Sequence, residues 1–116
     1  MTTIERFVGD VTIVDLEGRI TVQDGADQLR DVVRQLVRRG RLKLVLNLAA
    51  VPYIDSTALG QIVRAYTTAT RLGGGFKLLH VTARVQDLLV VTKLLSVFDL
   101  FDVETEAVNS FGSARA

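Results

Sequence analysis

The residues best placed to do chemistry lie in one short stretch, Tyr53-Ile54-Asp55-Ser56-Thr57-Ala58-Leu59-Gly60. If Asp55 is the N-cap of a helix, Ile54 and Leu59 fall at the two positions of a hydrophobic staple. Asp55 then satisfies the orphan amides of the first turn. Ser56, at the first helical position, keeps a hydroxyl with no structural duty. A phosphoryl group there would bring about −1.5 to −2 charges to a helix end worth roughly +0.5. The fold would tolerate it, whereas a partner docked over the junction would meet a new dianion beside Asp55. A mismatch of ~3 kcal/mol weakens binding by about two orders of magnitude. Spacing alone leaves a plainer alternative open, in which Asp55 and Ser56 merely compete to cap a helix.

The remaining reactive residues form no second constellation. His80, the only histidine, follows a strand-like run with no acid patterned around it. A hydrolase built on Ser56 would need His80 as base, and the chain has no G-x-S-x-G elbow. Its carboxylates are scattered singly or as helix-surface pairs, so no acid/base dyad stands out. There is no cysteine, which removes disulfides, thiolate zinc sites and cysteine nucleophiles together. Gly73-Gly74-Gly75 sits where a helix ends, the wrong electrical pole for a phosphate loop. No catalytic residue, metal site or cofactor is expected, and the reading is a binding protein, not an enzyme. Arginines recur at 30, 34, 38, 39 and 41. They form either a solvated helix face, with Asp27–Arg30 and Asp31–Arg34 at ion-pair spacing, or a docking surface for an anionic partner.

The elements that must hold this site are legible from hydropathy. Val11 to Leu16 alternates with period two and follows a shorter run, Ile4 to Val8, across Gly9-Asp10, which predicts a hairpin. Asp24 to Arg39 changes to helical period, with Leu29, Val32, Val33, Leu36 and Val37 on one face and Gly40 behind it. Leu42 to Leu48 is a nearly continuous apolar run, the mark of a strand covered on both faces. A loop, Ala49 to Ile54, leads into a helix from Ser56 to Leu72. A strand at Phe76–Leu79, a helix at Arg84–Leu95, a strand at Leu100–Val103 and a short helix capped by Thr105 complete the order ββαβαβαβα. That alternation calls for a largely parallel α/β sheet after an initial hairpin.

The chain has 116 residues, 48% hydrophobic and 23% charged, so one core is expected, with residues 1–111 as a single domain and 112–116 as a short tail. Its net charge of +1 gives no electrostatic case for nucleic acid or an anionic membrane. The amino terminus lacks a signal pattern and no apolar run approaches ~20 residues, so no membrane insertion is expected and the location read is cytoplasmic. Mean hydropathy is high, at +0.31. Val90, Val91, Val97, Phe98 and Leu100 are surplus apolar residues that either complete a fuller core or make a partner or weak homodimer patch.

The run from Leu46-Asn47-Leu48 through Asp55-Ser56-Thr57-Ala58-Leu59-Gly60 resembles the signature of STAS domains, specifically freestanding anti-sigma factor antagonists. Gly18, Gly73-Gly74-Gly75 and Leu100-Phe101-Asp102-Val103 with Ala107 fall in the family's order. The resemblance implies a mixed sheet of four or five strands with helices mainly on one face. It also implies partner switching: the unphosphorylated antagonist binds an anti-sigma factor, a serine kinase, and so frees a sigma factor. The kinase phosphorylates the serine matching Ser56, with Thr57 a secondary candidate, and a metal-dependent serine phosphatase resets it. ATP belongs to the kinase. Thr21, Asp55, Ser56, Thr57, Ala58, Leu59 and Gly60 are the implied partner-binding residues. The chain departs from the pattern at two points. Gly18-Arg19-Ile20-Thr21 replaces an acidic Gly-Glu-x-Asp run, and Ala58 replaces a glycine. The changed edge keeps a second reading open, a constitutive STAS subunit of a lipid-transport ABC complex or signalling scaffold.

Overall fold

The computed structural model describes residues 1–112. Strands β1 (Thr2–Val8) and β2 (Val11–Glu17) form the expected hairpin. Helix α1 (Ala26–Arg38), β3 (Lys43–Ala50), α2 (Ser56–Arg71), β4 (Gly75–Leu79), α3 (Ala83–Val91), β5 (Asp99–Phe101) and α4 (Glu104–Asn109) follow. The five strands lie in sequence order, β1-β2-β3-β4-β5. Only β1–β2 is antiparallel, and the other three pairs are parallel.

This order explains where the helices go. Each parallel pair needs a crossover, and crossovers of one hand in a sheet growing one way all land on the same face. That face carries Val14, Leu16, Leu44, Leu46, Leu48, Phe76 and Leu78, in one buried cluster with Leu29, Leu36, Ile62 and Leu89 of the three crossover helices. Helix α4, after which no strand follows among the described residues, folds back over the opposite face. There Ala107 packs with Val11, Ile13, Val45 and Leu79. The near-continuous apolar run of β3 therefore serves two cores, as its composition predicts.

Several boundaries differ from the sequence reading, β5 among them at Asp99–Phe101 rather than Leu100–Val103, and four of the differences have a visible cause. Strand β3 runs on through Ala49 and Ala50, because Glu17 pairs with Ala50 after a register shift in β2 and the Gly18 amide donates to the Ala50 carbonyl at 2.9 Å. Helix α1 starts at Ala26 rather than Asp24. Its cap is Gly25 at φ +101°, and Asp24 instead takes the amino terminus at 3.2 Å. Helix α3 stops at Val91 rather than Leu95. Lys93 is left-handed at φ +63°, the Leu94 amide reaches the Leu89 carbonyl at 2.8 Å and the Lys93 amide that of Val90 at 3.0 Å. This is a Schellman stop without its usual glycine. Thr92 is exposed and donates its hydroxyl to the Leu88 carbonyl at 2.7 Å. Thr105 does not cap α4. Val103 holds that position, since Glu104 must lie in the first turn to meet Arg6 at 2.7 Å.

Gly74 shows why the glycine run before β4 is needed: a Cβ there would fall on the Leu42 carbonyl. Of the surplus apolar residues, Phe98 is buried and Leu100 packs against the core. Val90, Val91 and Val97 stay exposed. Of the expected tail, Gly112 closes a turn onto Asn109, and residues 113–116 lie outside the described residues.

Candidate functional site

The loop after β3 and the start of α2 meet the segment after β2 at the carboxyl end of the sheet. The Ile20 amide donates to the Tyr53 carbonyl at 3.0 Å and the Asp55 amide to the Ile20 carbonyl at 3.2 Å. Ile20 and Ile54 pair as an isolated parallel bridge. Both are buried, with Leu59, in the main core, so the two ends of the staple anchor the junction from below.

Asp55 is the N-cap of α2 in extended conformation. One carboxylate oxygen accepts the Ala58 amide at 2.9 Å and the other accepts the Val22 amide at 2.8 Å. The carboxylate thus ties the helix start to the segment carrying Thr21. The Ala58 amide first, then that of Val22, holds the Asp55 carboxyl below the usual carboxylate range. Thr21 closes its own turn, its hydroxyl oxygen accepting the Asp24 amide at 3.1 Å.

Ser56 and Thr57 are exposed, and among the described residues neither side chain makes a hydrogen bond. Ala58 and Leu59 are 0% and 5% exposed. Their side chains face the core, so the Ala58 methyl does not reach the outer surface and neither residue offers its side chain to a partner. Gly60 is partly exposed, and a Cβ there would meet nothing within 4 Å. It lies one turn beyond Ser56 and leaves that stripe of the helix bare. The accessible positions are therefore Thr21, Asp55, Ser56, Thr57 and Gly60.

Beside the junction lies a feature that sequence reasoning missed. Arg19 and Arg84 both stack on Tyr53, their guanidinium carbons 5.4 and 5.7 Å from the ring centre. With Pro52 these residues line a cleft of about 400 Å³. Among the described residues neither arginine has an ion-pair partner. Arg19 was visible as a departure after Gly18, but nothing in the sequence marks Arg84, 65 positions away on α3, as its neighbour.

Among the described residues no hydrogen bond joins Ser56 to His80. His80 is a strand-end residue at φ +57° whose amide donates to the Phe101 carbonyl at 2.8 Å. Among the described residues no group of three His, Cys, Asp or Glu side chains is placed to hold a metal, and no helix is long and apolar enough to cross a membrane.

The family model for the STAS domain matches residues 4–107. A Thermotoga neapolitana protein provisionally named an anti-sigma factor antagonist is 28% identical over 103 residues, covering 89% of this chain and 91% of its own. The crystal structure of a Thermotoga maritima protein with the same provisional name superposes with a TM-score of 0.88 at 26% identity, covering 94% and 93% of the two chains. The Bacillus cell fate determinant SpoIIAA in its phosphorylated form superposes with a TM-score of 0.74, covering 94% and 98%; at 15% identity this likeness is one of fold.

Proposed function

This chain belongs to the STAS domain family, and from that membership we propose that it is an anti-sigma factor antagonist switched by phosphorylation of Ser56. Unphosphorylated, it binds an anti-sigma factor that is a serine kinase. Phosphorylated, it is released, and a metal-dependent serine phosphatase restores it. In this reading the chain is a regulatory ligand in the cytoplasm and catalyses nothing itself. Its contact face is Thr21, Asp55, Ser56, Thr57 and Gly60, with Ala58 and Leu59 supporting from the core and Thr57 a secondary acceptor.

One observation carries the reading. Asp55 caps α2 with one carboxylate oxygen and holds the Val22 amide with the other, while the neighbouring Ser56 hydroxyl is exposed and uncommitted. A phosphoryl group added there disturbs no existing bond, and the amino end of α2 tolerates its charge. The modification therefore acts on the docking surface and leaves the fold intact.

The test is a pull-down from native cell extract with wild type, Ser56→Ala and Ser56→Asp, captured proteins being identified by mass spectrometry. A kinase held by wild type and Ser56→Ala but lost by Ser56→Asp is the expected result. The changed edge at Arg19 favours the second reading, a constitutive subunit. A transporter ATPase or scaffold held equally by all three would establish that reading instead.

A further inference from the structure

Of the five arginines grouped between positions 30 and 41, two serve the fold. Arg39 pairs with Glu5 at 2.9 Å, and Arg41 donates to the Thr12 hydroxyl at 2.8 Å. The other three, Arg30, Arg34 and Arg38, line one side of an open groove of about 520 Å³ between α1 and α2. Arg64 and Arg71 line the other side. Val33, Val37 and Val63 give the groove an apolar floor. Asp27 and Asp31 hold Arg30. Among the described residues Arg34, Arg38, Arg64 and Arg71 have no ion-pair partner, and no acidic side chain lines the groove. A chain of net charge +1 has thus gathered five cations on one cleft.

We propose that this groove docks an acidic amphipathic helix of a partner protein, at a site separate from the Ser56 junction. The cations run in two rows, about 12 Å along α1 from Arg30 to Arg38 and about 10.5 Å along α2 from Arg64 to Arg71 at 1.5 Å per residue. They do not converge on one point, as binding a single phosphate requires. The groove also follows the middle and carboxyl ends of both helices, where the backbone dipoles disfavour a compact anion. A flat anionic bilayer fits poorly too, because the floor is recessed: Val33 is only 6% exposed. The matching ligand is linear, with a narrow apolar stripe flanked by carboxylates on both sides. A helix of two to three turns meets that description, and guanidinium forks suit carboxylates.

The probe is a fluorescein-labelled 15-residue synthetic helix with leucines at i, i+3 and i+4 spacing between glutamates, set against a scramble of the same composition. The expected result is that wild type binds the helix and not the scramble. Amide shifts should centre on α1 and α2. Arg34→Glu/Arg64→Glu and, separately, Arg38→Glu/Arg71→Glu should each weaken binding by about tenfold or more. Ser56→Asp should bind as wild type does, which keeps this result independent of the switch. All four arginines are exposed, and unchanged circular dichroism will confirm that the variants fold. Equal binding of the scramble, equal binding by both double variants, shifts centred elsewhere, or displacement of the helix by phosphatidylglycerol vesicles would each overturn the proposal.

Discussion

At the scale of single residues, two neighbours divide the labour of the junction. Asp55 carries its structural load and Ser56 carries none, so substitutions at the two positions should separate. Asp55→Ala loses the acceptor for both Val22 and Ala58. It should lower the urea midpoint and speed hydrogen exchange at those two amides together; exchange that quickens at Ala58 alone would show that the link to Thr21 is not built through this carboxylate. Because the Asp55 carboxyl is held low in the fold, the cap's contribution is complete at neutral pH and is lost as pH falls below the usual carboxylate range. Ser56→Ala and Ser56→Asp should leave the midpoint nearly unchanged. This division was half legible in sequence. The capping and staple spacing pointed to Asp55, Ile54 and Leu59, whereas the second hydrogen bond, to Val22 from 33 positions away, follows only from the pairing of Ile20 with Ile54.

At the scale of elements, two positions have costs that the fold itself does not require. Gly60 lies inside α2 with open space where a Cβ would stand. Gly60→Ala should raise stability by about 0.5–1 kcal/mol, read as a shift in thermal midpoint. If the bare stripe beside Ser56 receives a partner closely, Gly60→Leu should bind that partner less well despite folding. Lys93 ends α3 in a left-handed conformation that costs a side-chain-bearing residue about 1–2 kcal/mol. Lys93→Gly should recover about half of that after glycine's extra chain entropy; a destabilised variant would show that the Lys93 side chain has a role of its own. These helix ends also show where reading from sequence stops. Arg39 and Leu72 cap α1 and α2, and the residues just beyond them, Gly40 and Gly73, are left-handed glycines that announce the stop. Lys93 performs the same task without a glycine, so apolar periodicity carried the expected α3 four residues too far.

At the scale of the whole molecule, one polar cluster joins the hairpin to the last helix. The Arg6 guanidinium holds Asp15 at 2.6 Å and Glu104 at 2.7 Å, and Asn47 donates to Asp15 at 2.8 Å. The hydrogen bond from Arg6 pulls both carboxyls below their usual range. Their contribution is therefore complete above about pH 5 and lost as pH falls further. The pairs are partly exposed, so solvent screening limits them: Arg6→Met should cost about 1 kcal/mol at neutral pH. The gap from wild type in urea midpoint should shrink at pH 3, and a gap that persists there would mean that Arg6 acts by packing. The order of elements along the chain and the two-sided burial of β3 could be read from alternation and hydropathy. The placement of α4 on the far face could not, because it depends on contacts such as Arg6 to Glu104 across 98 positions. Above all, one hydroxyl is proposed to decide whether this molecule is bound or free. That proposal is tested most directly by titrating the captured kinase against the unmodified chain and the chain phosphorylated at Ser56. Affinity should be lower by about two orders of magnitude for the phosphorylated chain, with both forms equally stable. Equal affinities would contradict it.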